Sequence, residues 1–404
     1  MEVFVARQPI FDRWLDVAAY ELFFRYEGKD FYDHLNGDQA SSRVITDSFF
    51  IIGMKKLTGG KRAFINFTKN LLLDEVATIL PRESIAVEVL ETVELDEEIV
   101  AACDKLKQLG YLLVLDDFAL KMKFNPLIEM ADIIKVDFLE TDVEERRSLV
   151  KWFGTKKLKF LAEKVETREA FDQALEMGYT YFQGYFFSKP VILSGKDVPG
   201  YKVNYIRIMH EINKPDPDID QIENIFKGDV SFSYKLLRCI NSAAFGLRTK
   251  VTSIKHALIL MGHRELRKWV SLIVLLGLGE DKPQELITIS IIRAKFCELL
   301  APGVGLKDRV SDLFLMGLFS MIDAFVSRPM AELLEELPIS DDIKDALLGK
   351  GGPLEKMYEL VLSYEKGDWK KFSLLAADLN LDEESVPAIY FESLEWSREV
   401  FQPD

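Results

Sequence analysis

The sequence predicts an α/β barrel of the TIM type over residues 1–195, followed by an all-α helical domain over residues 196–404. Short β-rich runs alternate with longer helical patterns from about residue 17 to residue 190, which is typical of parallel strands joined by helical crossovers. Six of these runs carry a polar residue near the carboxyl end, at steps of 19 to 28 residues, which leaves room for a crossover. After Pro190, helical periodicity continues almost without strand patterns.

Spacing of this regularity favours a closed barrel, with an open doubly wound sheet as the structural alternative. Both architectures bind ligands at the carboxyl ends of their strands. The predicted strands are Val17–Arg25, Arg62–Asn66, Ile85–Val89, Tyr111–Asp116, Ile133–Val136, Lys159–Glu163 and Tyr181–Gly184. Helical patterns between them lie at Ala40–Leu57, Glu97–Leu109 and Arg168–Met177.

A short linker precedes the helical half. Ser194-Gly195-Lys196 and Pro199-Gly200 are typical turn and linker residues. The predicted helices that follow are Ile219–Phe226, Ser231–Ile240, Ile254–Leu260, Glu265–Leu278, Leu286–Leu300 and Arg309–Ser320. The last eighty or so residues continue the helical pattern.

The composition excludes several classes of protein. The chain has 404 residues, of which 48% are hydrophobic, so it can fill more than one core. The formal net charge of −15 argues against a nucleic-acid surface, since affinity for phosphate backbones depends on Lys and Arg. The longest apolar run, near Trp269–Leu278, is shorter than the ~20 residues that cross a bilayer. We therefore expect a cytoplasmic protein without a membrane span, whose three cysteines are buried or half-buried thiols.

Polar residues at the strand ends of a barrel would meet in one cleft. The convergent set has five carboxylates and one amide: Glu21, Glu88, Asp116, Asp117, Glu163 and Asn66. Any one of these acids alone is more often a helix cap or an ion-pair partner, but the whole set is costly without cations between its members. Carboxylates without His or Cys indicate Mg²⁺ or Mn²⁺. Two such ions, ~3.5–4 Å apart, can promote hydrolysis of a phosphodiester.

Three further side chains suit the same chemistry. Lys135 would place a positive charge near the attacking water or the phosphate. Arg25, four residues after Glu21, could hold a non-bridging phosphate oxygen, because its planar guanidinium fits that geometry. Gln183 would orient a water or an edge of the ligand.

A series of segments in the first half matches the motifs of one known family in order. The segments are Gln8-Pro9-Ile10, Tyr20–Arg25, Phe64–Asn66, Glu88–Glu91, Asp116–Phe118, Ile134–Asp137, Ala162–Thr167 and Phe182–Tyr185. Together they resemble the EAL family of cyclic di-GMP phosphodiesterases over about residues 5–190. The resemblance implies a barrel fold and cleavage of cyclic di-GMP to linear pGpG.

The resemblance also implies a role for each matching residue. The metal ligands for Mg²⁺ or Mn²⁺ would be Glu21, Asn66, Glu88, Asp116 and Asp117. Lys135 would lie close to the nucleophilic water, and Glu163 and Gln183 would complete the catalytic shell. Arg25 and Gln183 would contact the ligand, and Glu91 would anchor the loop that follows the aspartates.

Two departures from the family pattern bear on turnover. The family's Gly-Thr-Gly after the aspartate pair is replaced by Ala119-Leu120-Lys121, and glycine reaches backbone angles that other residues adopt only at a cost. In the family this loop helps to set the metal site and the dimer contact, so the resemblance leaves a homodimer open. Lys164 stands where the family usually has glycine.

The second half resembles the HDOD family in two segments, Leu236–Leu247 and Val251–Gly262. HDOD domains are similar in fold to HD-type metal phosphohydrolases, which need an adjacent His-Asp pair. None of the four histidines of this chain is followed by Asp, so we expect a helical domain without a metal centre. The fused arrangement suggests that this domain passes a ligand-dependent change to a protein partner, which the sequence does not identify.

Two functions therefore remain open. The altered loop and the fused helical domain favour a cyclic di-GMP-binding or scaffold regulator with a degenerate EAL domain. The retained acids, together with Asn66, Lys135 and Gln183, favour the alternative, an active metal-dependent cyclic di-GMP phosphodiesterase.

Overall fold

The computed structural model consists of two compact units. It describes residues 3–26, 29–30, 54–116, 126–154, 158–184, 207–214, 217–227, 236, 240, 251, 253–279, 282–326, 328–337 and 339–401. The first unit contains Met1–Phe187 and a later segment, Leu362–Ser373. The second contains Ser188–Val361 and Leu374–Asp404. The first unit is therefore completed by residues from far along the chain.

Within the described residues, nine strands form the sheet of the first unit. They are β1 (Val3–Asp12), β2 (Val17–Tyr26), β3 (Lys29–Asp30), β4 (Arg62–Phe67), β5 (Ile85–Val89), β6 (Leu112–Leu115), β7 (Ile133–Asp137), β8 (Lys159–Glu163) and β9 (Tyr181–Phe182). All seven predicted strands are present, with ends that differ by a few residues. Two strands, β1 and β3, were not predicted.

The sheet closes into a barrel because β1 pairs with both β2 and β9. The ring runs β1-β9-β8-β7-β6-β5-β4-β2 and returns to β1, while β3 extends the edge of β2. Neighbours from β2 through β4 to β9 are parallel, whereas β1 is antiparallel to both of its neighbours. The TIM-type barrel is confirmed over the open sheet, with one reversed strand as the closing element.

Side chains fill the barrel interior in two layers, because alternate residues of a strand point to the same face. The lower layer is apolar and contains Ile10, Ala19, Phe64, Ala86, Val114, Ile133 and Leu161. Two residues further along each parallel strand, the side chains become polar: Glu21, Asn66, Glu88, Asp116, Lys135 and Glu163. The barrel is therefore sealed below and polar at the carboxyl ends of its strands.

Helices of the first unit alternate with its strands. They are α1 (Met54–Thr58), α2 (Lys69–Leu73), α3 (Glu97–Gln108), α4 (Val143–Phe153) and α5 (Arg168–Met177). Side chains of Asp96, Asp142 and Thr167 accept hydrogen bonds from the first-turn amides of α3, α4 and α5, which fixes where each helix begins. Most of the predicted helix Ala40–Leu57 lies outside the described residues, and only its end is seen in α1.

All secondary-structure elements among the described residues of the second unit are helices. Residues 207–212 are helical, and the later helices are α6 (Ile219–Lys227), α7 (Ile254–Leu278), α8 (Gln284–Leu300), α9 (Val310–Phe319), α10 (Ile322–Val326), α11 (Met330–Glu336), α12 (Asp341–Leu347), α13 (Pro353–Lys366), α14 (Trp369–Asp378) and α15 (Val386–Phe401). The all-α prediction is confirmed. The last residues of α13 and the first of α14 belong to the first unit.

Gly262 interrupts α7 with non-helical backbone angles, φ 68° and ψ 160°. It divides α7 at the point where the sequence predicts two helices, Ile254–Leu260 and Glu265–Leu278. The predicted helix Ser231–Ile240 and most of the segment Leu236–Leu247 lie outside the described residues. Among the described helices, none is both long and apolar enough to cross a membrane. Cys103 and Cys297 are buried thiols, as expected, while Cys239 lies outside the described residues.

Candidate active site

The polar layer of the barrel is organised around the ammonium of Lys135. This lysine is only 1% exposed. Its Nζ lies 2.9 Å from Asp116 Oδ1, 2.7 Å from Glu163 Oε1 and 3.4 Å from Glu21 Oε1, and it also pairs with Glu88 Oε1. Four strands thus bring one carboxylate each to the single amine on β7. The structure brings these five predicted site residues together.

Two amides complete this layer. Asn66 Nδ2 donates to Glu21 Oε1 at 3.3 Å, and Gln183 Nε2 donates to Glu21 Oε2 at 2.8 Å. Gln183 Nε2 also donates to Gln8 Oε1 at 3.0 Å. Gln8 is a member of this group that sequence reasoning missed as a site residue. The Gln8-Pro9-Ile10 motif could have indicated Gln8 as a site residue. The strand that contains this motif, β1, was not predicted, so the side chain of Gln8 was not placed in the barrel.

Electrostatics within the layer follow from burial and from an excess of acids. Burial disfavours a charged amine, yet the surrounding carboxylates hold the pKa of Lys135 well above its usual value. Burial, reinforced by Glu21, raises the pKa of Glu88 well above its ordinary range. Burial likewise raises the pKa of Glu163 to about 8, against the opposing influence of Lys135. One ammonium does not neutralise three buried carboxylates and the half-buried Asp116, so the remaining negative charge favours uptake of protons or of cations.

The residues present fit a divalent cation by their chemistry. Asn66 Oδ1, Glu88 Oε2 and Gln183 Oε1 are buried oxygens to which no side chain or backbone group donates a hydrogen bond. Buried acceptors of this kind carry a cost that a hard cation would remove, since Mg²⁺ and Mn²⁺ prefer oxygen ligands. Across the described residues, no three acidic, histidine or cysteine side chains are already arranged to hold a metal ion. The carboxylates instead point at Lys135.

Local backbone geometry at the ends of β8 and β9 positions Glu163 and Gln183. The Val165 amide donates to the Gln183 carbonyl at 3.0 Å, which ties the two strand ends together. Gly184 makes this approach feasible, because a Cβ at that position would lie 2.3 Å from the Val165 nitrogen. Lys164 has a left-handed backbone with φ 51°, a conformation that favours glycine, and its ammonium pairs with Asp137. This left-handed conformation explains why the family usually has glycine where this chain has Lys164.

Arg25 lies further along β2, beyond the acidic layer. It is 3% exposed, and its Nη2 donates to Ser373 Oγ at 2.8 Å. The centre of its guanidinium lies 5.1 Å from the ring of Phe4 and 5.9 Å from the ring of Phe372. The predicted phosphate-binding arginine is therefore covered by residues of the Leu362–Ser373 segment, which no sequence motif indicated.

Two predicted residues belong to the region around the altered loop. Asp117 and the replacement Ala119-Leu120-Lys121 lie outside the described residues. Glu91, the predicted loop anchor, is exposed after the end of β5. Its role stays a prediction.

Comparisons with known proteins agree with the architecture. The EAL domain profile matches residues 58–190, and the HDOD domain profile matches residues 198–337. An uncharacterised Bacillus subtilis protein, YuxH, is 39% identical over 98% of both chains. The cyclic di-GMP phosphodiesterase CdgJ of Vibrio cholerae is 35% identical over 98% of this chain and 93% of its own.

A crystal structure of an EAL domain protein from Listeria monocytogenes EGD-e is 23% identical, with a TM-score of 0.38, and covers 46% of this chain and 87% of that one. The assignment to a family rests on YuxH and CdgJ, because each is more than one third identical to this chain through both of its halves. This chain belongs to the family of proteins in which an EAL domain is joined to an HDOD domain.

Proposed function

We propose that the barrel is a divalent-cation-dependent phosphodiesterase that opens cyclic di-GMP to linear pGpG. The observation that carries the proposal is the convergence of Glu21, Glu88, Asp116 and Glu163 on Lys135. The undonated oxygens of Asn66, Glu88 and Gln183 support it, because they suit a cation. The relative named as a cyclic di-GMP phosphodiesterase, which aligns over nearly the whole chain, supports the choice of substrate.

Each group would have a distinct part in the reaction. Glu21, Asn66, Glu88 and Asp116 would hold the cations, with Asp117 as a further ligand. When bound, divalent cations lower the pKa of a water and stabilise the leaving oxygen. Lys135 would give up its present carboxylate contacts in part and hold the water or a phosphate oxygen by its fixed positive charge. Gln183 would orient that water, and Glu163 would accept its proton as the new P–O bond forms. The P–O3′ bond breaks, and the departing O3′ takes up a proton from solvent to become the 3′-hydroxyl of pGpG.

An assay on the full-length chain tests this proposal. Incubation of cyclic di-GMP with the protein and Mg²⁺ or Mn²⁺ should yield pGpG, detected by chromatography. Glu88→Gln should abolish the product, because the amide removes a negative charge from the cation site while keeping nearly the same shape. Glu144→Gln is the matched control, since its side chain is 82% exposed on α4 and it should retain full turnover.

A cyclic di-GMP-binding regulator without turnover is the second candidate. The left-handed Lys164 and the replacement Ala119-Leu120-Lys121 favour it, because both depart from the glycines of the family pattern. Absence of pGpG with either cation, combined with micromolar binding by calorimetry, would select this candidate. Absence of both product and binding would exclude the two together.

The helical unit would supply the output in either case. We propose that it contacts a protein partner, because a helical domain fused to a ligand-binding barrel can pass on a ligand-dependent change. In the described part of this unit, no group of acidic, histidine or cysteine side chains could hold a metal ion. Affinity capture with and without cyclic di-GMP, followed by mass spectrometry, tests whether such a partner binds in a ligand-dependent way.

A further inference from the structure

One face of the β1–β2 ribbon carries both the acidic layer and Arg25. Cross-strand partners in an antiparallel pair share a face, and the register places Gln8 opposite Glu21, Ala6 opposite Phe23 and Phe4 opposite Arg25. These three pairs form a continuous surface that we call the ribbon face. It leads from the acidic layer outwards, past Leu22, the last residue of β2 that pairs with β4.

The segment Leu362–Ser373, which we call the strap, covers the outer part of the ribbon face. Phe4 packs against Tyr364, Trp369 and Phe372, with ring centroids 6.5, 6.1 and 6.1 Å away. All four rings are at least 96% buried. The strap is thus held on the ribbon face by an aromatic cluster rather than by a single contact.

The turn of the strap approaches the ribbon face closely. A Cβ on Gly367 would lie 2.8 Å from the Cβ of Phe23, and Gly367 has a positive φ of 68°. Only glycine allows the backbone to reach this position without displacing the ribbon. Lys366 also lies close enough to Glu166, three residues after Glu163, for their charges to interact. The strap therefore contacts the ribbon face and lies within electrostatic range of the residues that follow β8.

The guanidinium of Arg25 is enclosed by these contacts. Phe4 and Phe372 lie within 6 Å of its central carbon, and Ser373 accepts a hydrogen bond from Nη2. A phosphate needs direct access to a guanidinium to form the paired hydrogen bonds that make arginine effective. With Arg25 only 3% exposed, that access requires the strap to leave the ribbon face.

We propose that the strap is an autoinhibitory element that holds Arg25 away from a cyclic dinucleotide, and that the ligand binds fully only when the strap leaves the ribbon face. This inference rests on the proposed function. Both ends of the strap continue into residues of the second unit, Val361 and Leu374, so a change in the helical unit has a covalent route to the strap. Where the helical unit shifts the strap, linkage requires that a ligand that displaces the strap shifts the helical unit by the same free energy.

Measurements of cyclic di-GMP affinity on the full chain test whether the strap is autoinhibitory. Calorimetry with cyclic di-GMP in EDTA, which prevents turnover, should show about tenfold tighter binding for Phe372→Ala, since weakening the closed state raises the competent fraction. Leu374→Ala is the matched control, because its side chain on the same helix is 66% exposed, and its affinity should equal that of the wild type. Arg25→Ala should cost little in the wild type but remove the whole gain in the Phe372→Ala background.

A milder variant guards against simple unfolding of Phe372→Ala. Ser373→Ala removes the hydrogen bond to Arg25 but leaves the rings of the aromatic cluster in place, and it should tighten binding about two- to threefold. Hydrogen exchange without ligand should show faster exchange in residues 23–26 and 362–373 of Phe372→Ala, and unchanged protection in β5.

The outcomes separate this proposal from the function it rests on. If both strap variants bind cyclic di-GMP as tightly as the wild type, the strap is not autoinhibitory. Weaker binding would also contradict an autoinhibitory strap, because the strap would then hold Arg25 in the position that binds the ligand. The pGpG assay decides the phosphodiesterase independently. If no variant binds cyclic di-GMP, the ligand assignment is wrong for both the site and the strap, even where exchange becomes faster.

Discussion

The lower and upper layers of the barrel interior are built by the same strands and differ by a step of two residues. In the lower layer, Ala19, Phe64 and Ile133 pack with their neighbours into an apolar floor. In the upper layer, Glu21, Asn66 and Lys135 follow on the same strands and are equally buried. Burial stabilises the first layer and is costly for the second. The stability gained by the apolar lower layer therefore offsets the cost of burying the polar groups of the upper layer.

The largest expected effect is removal of the central ammonium. Lys135→Ala should lose about 3–5 kcal/mol of unfolding free energy, because three buried carboxylates and the half-buried Asp116 would lose their cationic partner. It should also abolish pGpG formation. Added Mg²⁺ or Mn²⁺ should restore part of the stability, since a cation can take the place of the ammonium. Denaturant unfolding with and without the cation measures the loss of unfolding free energy and the part of it that the cation restores.

Lys159→Ala is the control for that experiment, because this lysine lies at the exposed start of β8. It should change the unfolding free energy by less than about 1 kcal/mol. A similarly small loss in Lys135→Ala would mean that the acids do not depend on the amine, and the contrast between the two layers would fail.

A half-buried acid of the helical unit, Asp323, provides a reference for the clustered acids of the barrel. Burial raises the pKa of Asp323 from 3.8 to about 6. Protonation therefore favours the folded state, so the stability contribution is full below pH 4 and is lost as the pH rises through 6. By linkage the loss amounts to ~3 kcal/mol for a shift of about two units.

Asp323→Asn should remove this dependence. The difference in unfolding free energy between the variant and the wild type should grow in favour of the variant from pH 4 to pH 7. Denaturant titrations at four pH values measure it, with the exposed Asp308→Asn as control. A constant difference would show that Asp323 keeps an ordinary acidity in the folded state.

The smallest expected effect belongs to the floor. Ile133→Val removes one methylene from the apolar layer and should cost about 1 kcal/mol of stability. Turnover should remain near the wild-type value, because Lys135, on the same strand, keeps its backbone position. A large loss of turnover with so small a loss of stability would show that packing in the apolar layer determines the positions of the acidic side chains above it.

Much of the site was predictable from sequence because strand periodicity and crossover spacing are local signals. Glu88, Lys135 and Glu163 stand at the ends of short apolar runs, and a closed barrel brings such ends together whatever the helices between them contain. Of the two strands that were not predicted, β1 matters more, because it closes the barrel. Its residues form a nearly continuous apolar run interrupted by Arg7 and Gln8, and neither strand alternation nor a preceding crossover distinguishes it.

The covering of Arg25 could not be predicted in the same way. Arg25 and Ser373 are separated by 348 positions along the chain, and no local pattern joins them. The aromatic residues of the strap are in ordinary helical spacing and would be assigned to the core of their own helices. Only the tertiary fold shows that Phe372 packs against a strand of the barrel.

The reversed strand β1 has a consequence for how the chain is made. On the ribosome, β1 and β2 can form a hairpin as soon as both have emerged, but the other edge of β1 has no partner until Tyr181 and Phe182 have been synthesised. Until then the nascent hairpin presents an open edge, which invites pairing with other chains. Closure of the ring is therefore a late event, and a slow or interrupted translation between β2 and β9 should favour aggregation over folding.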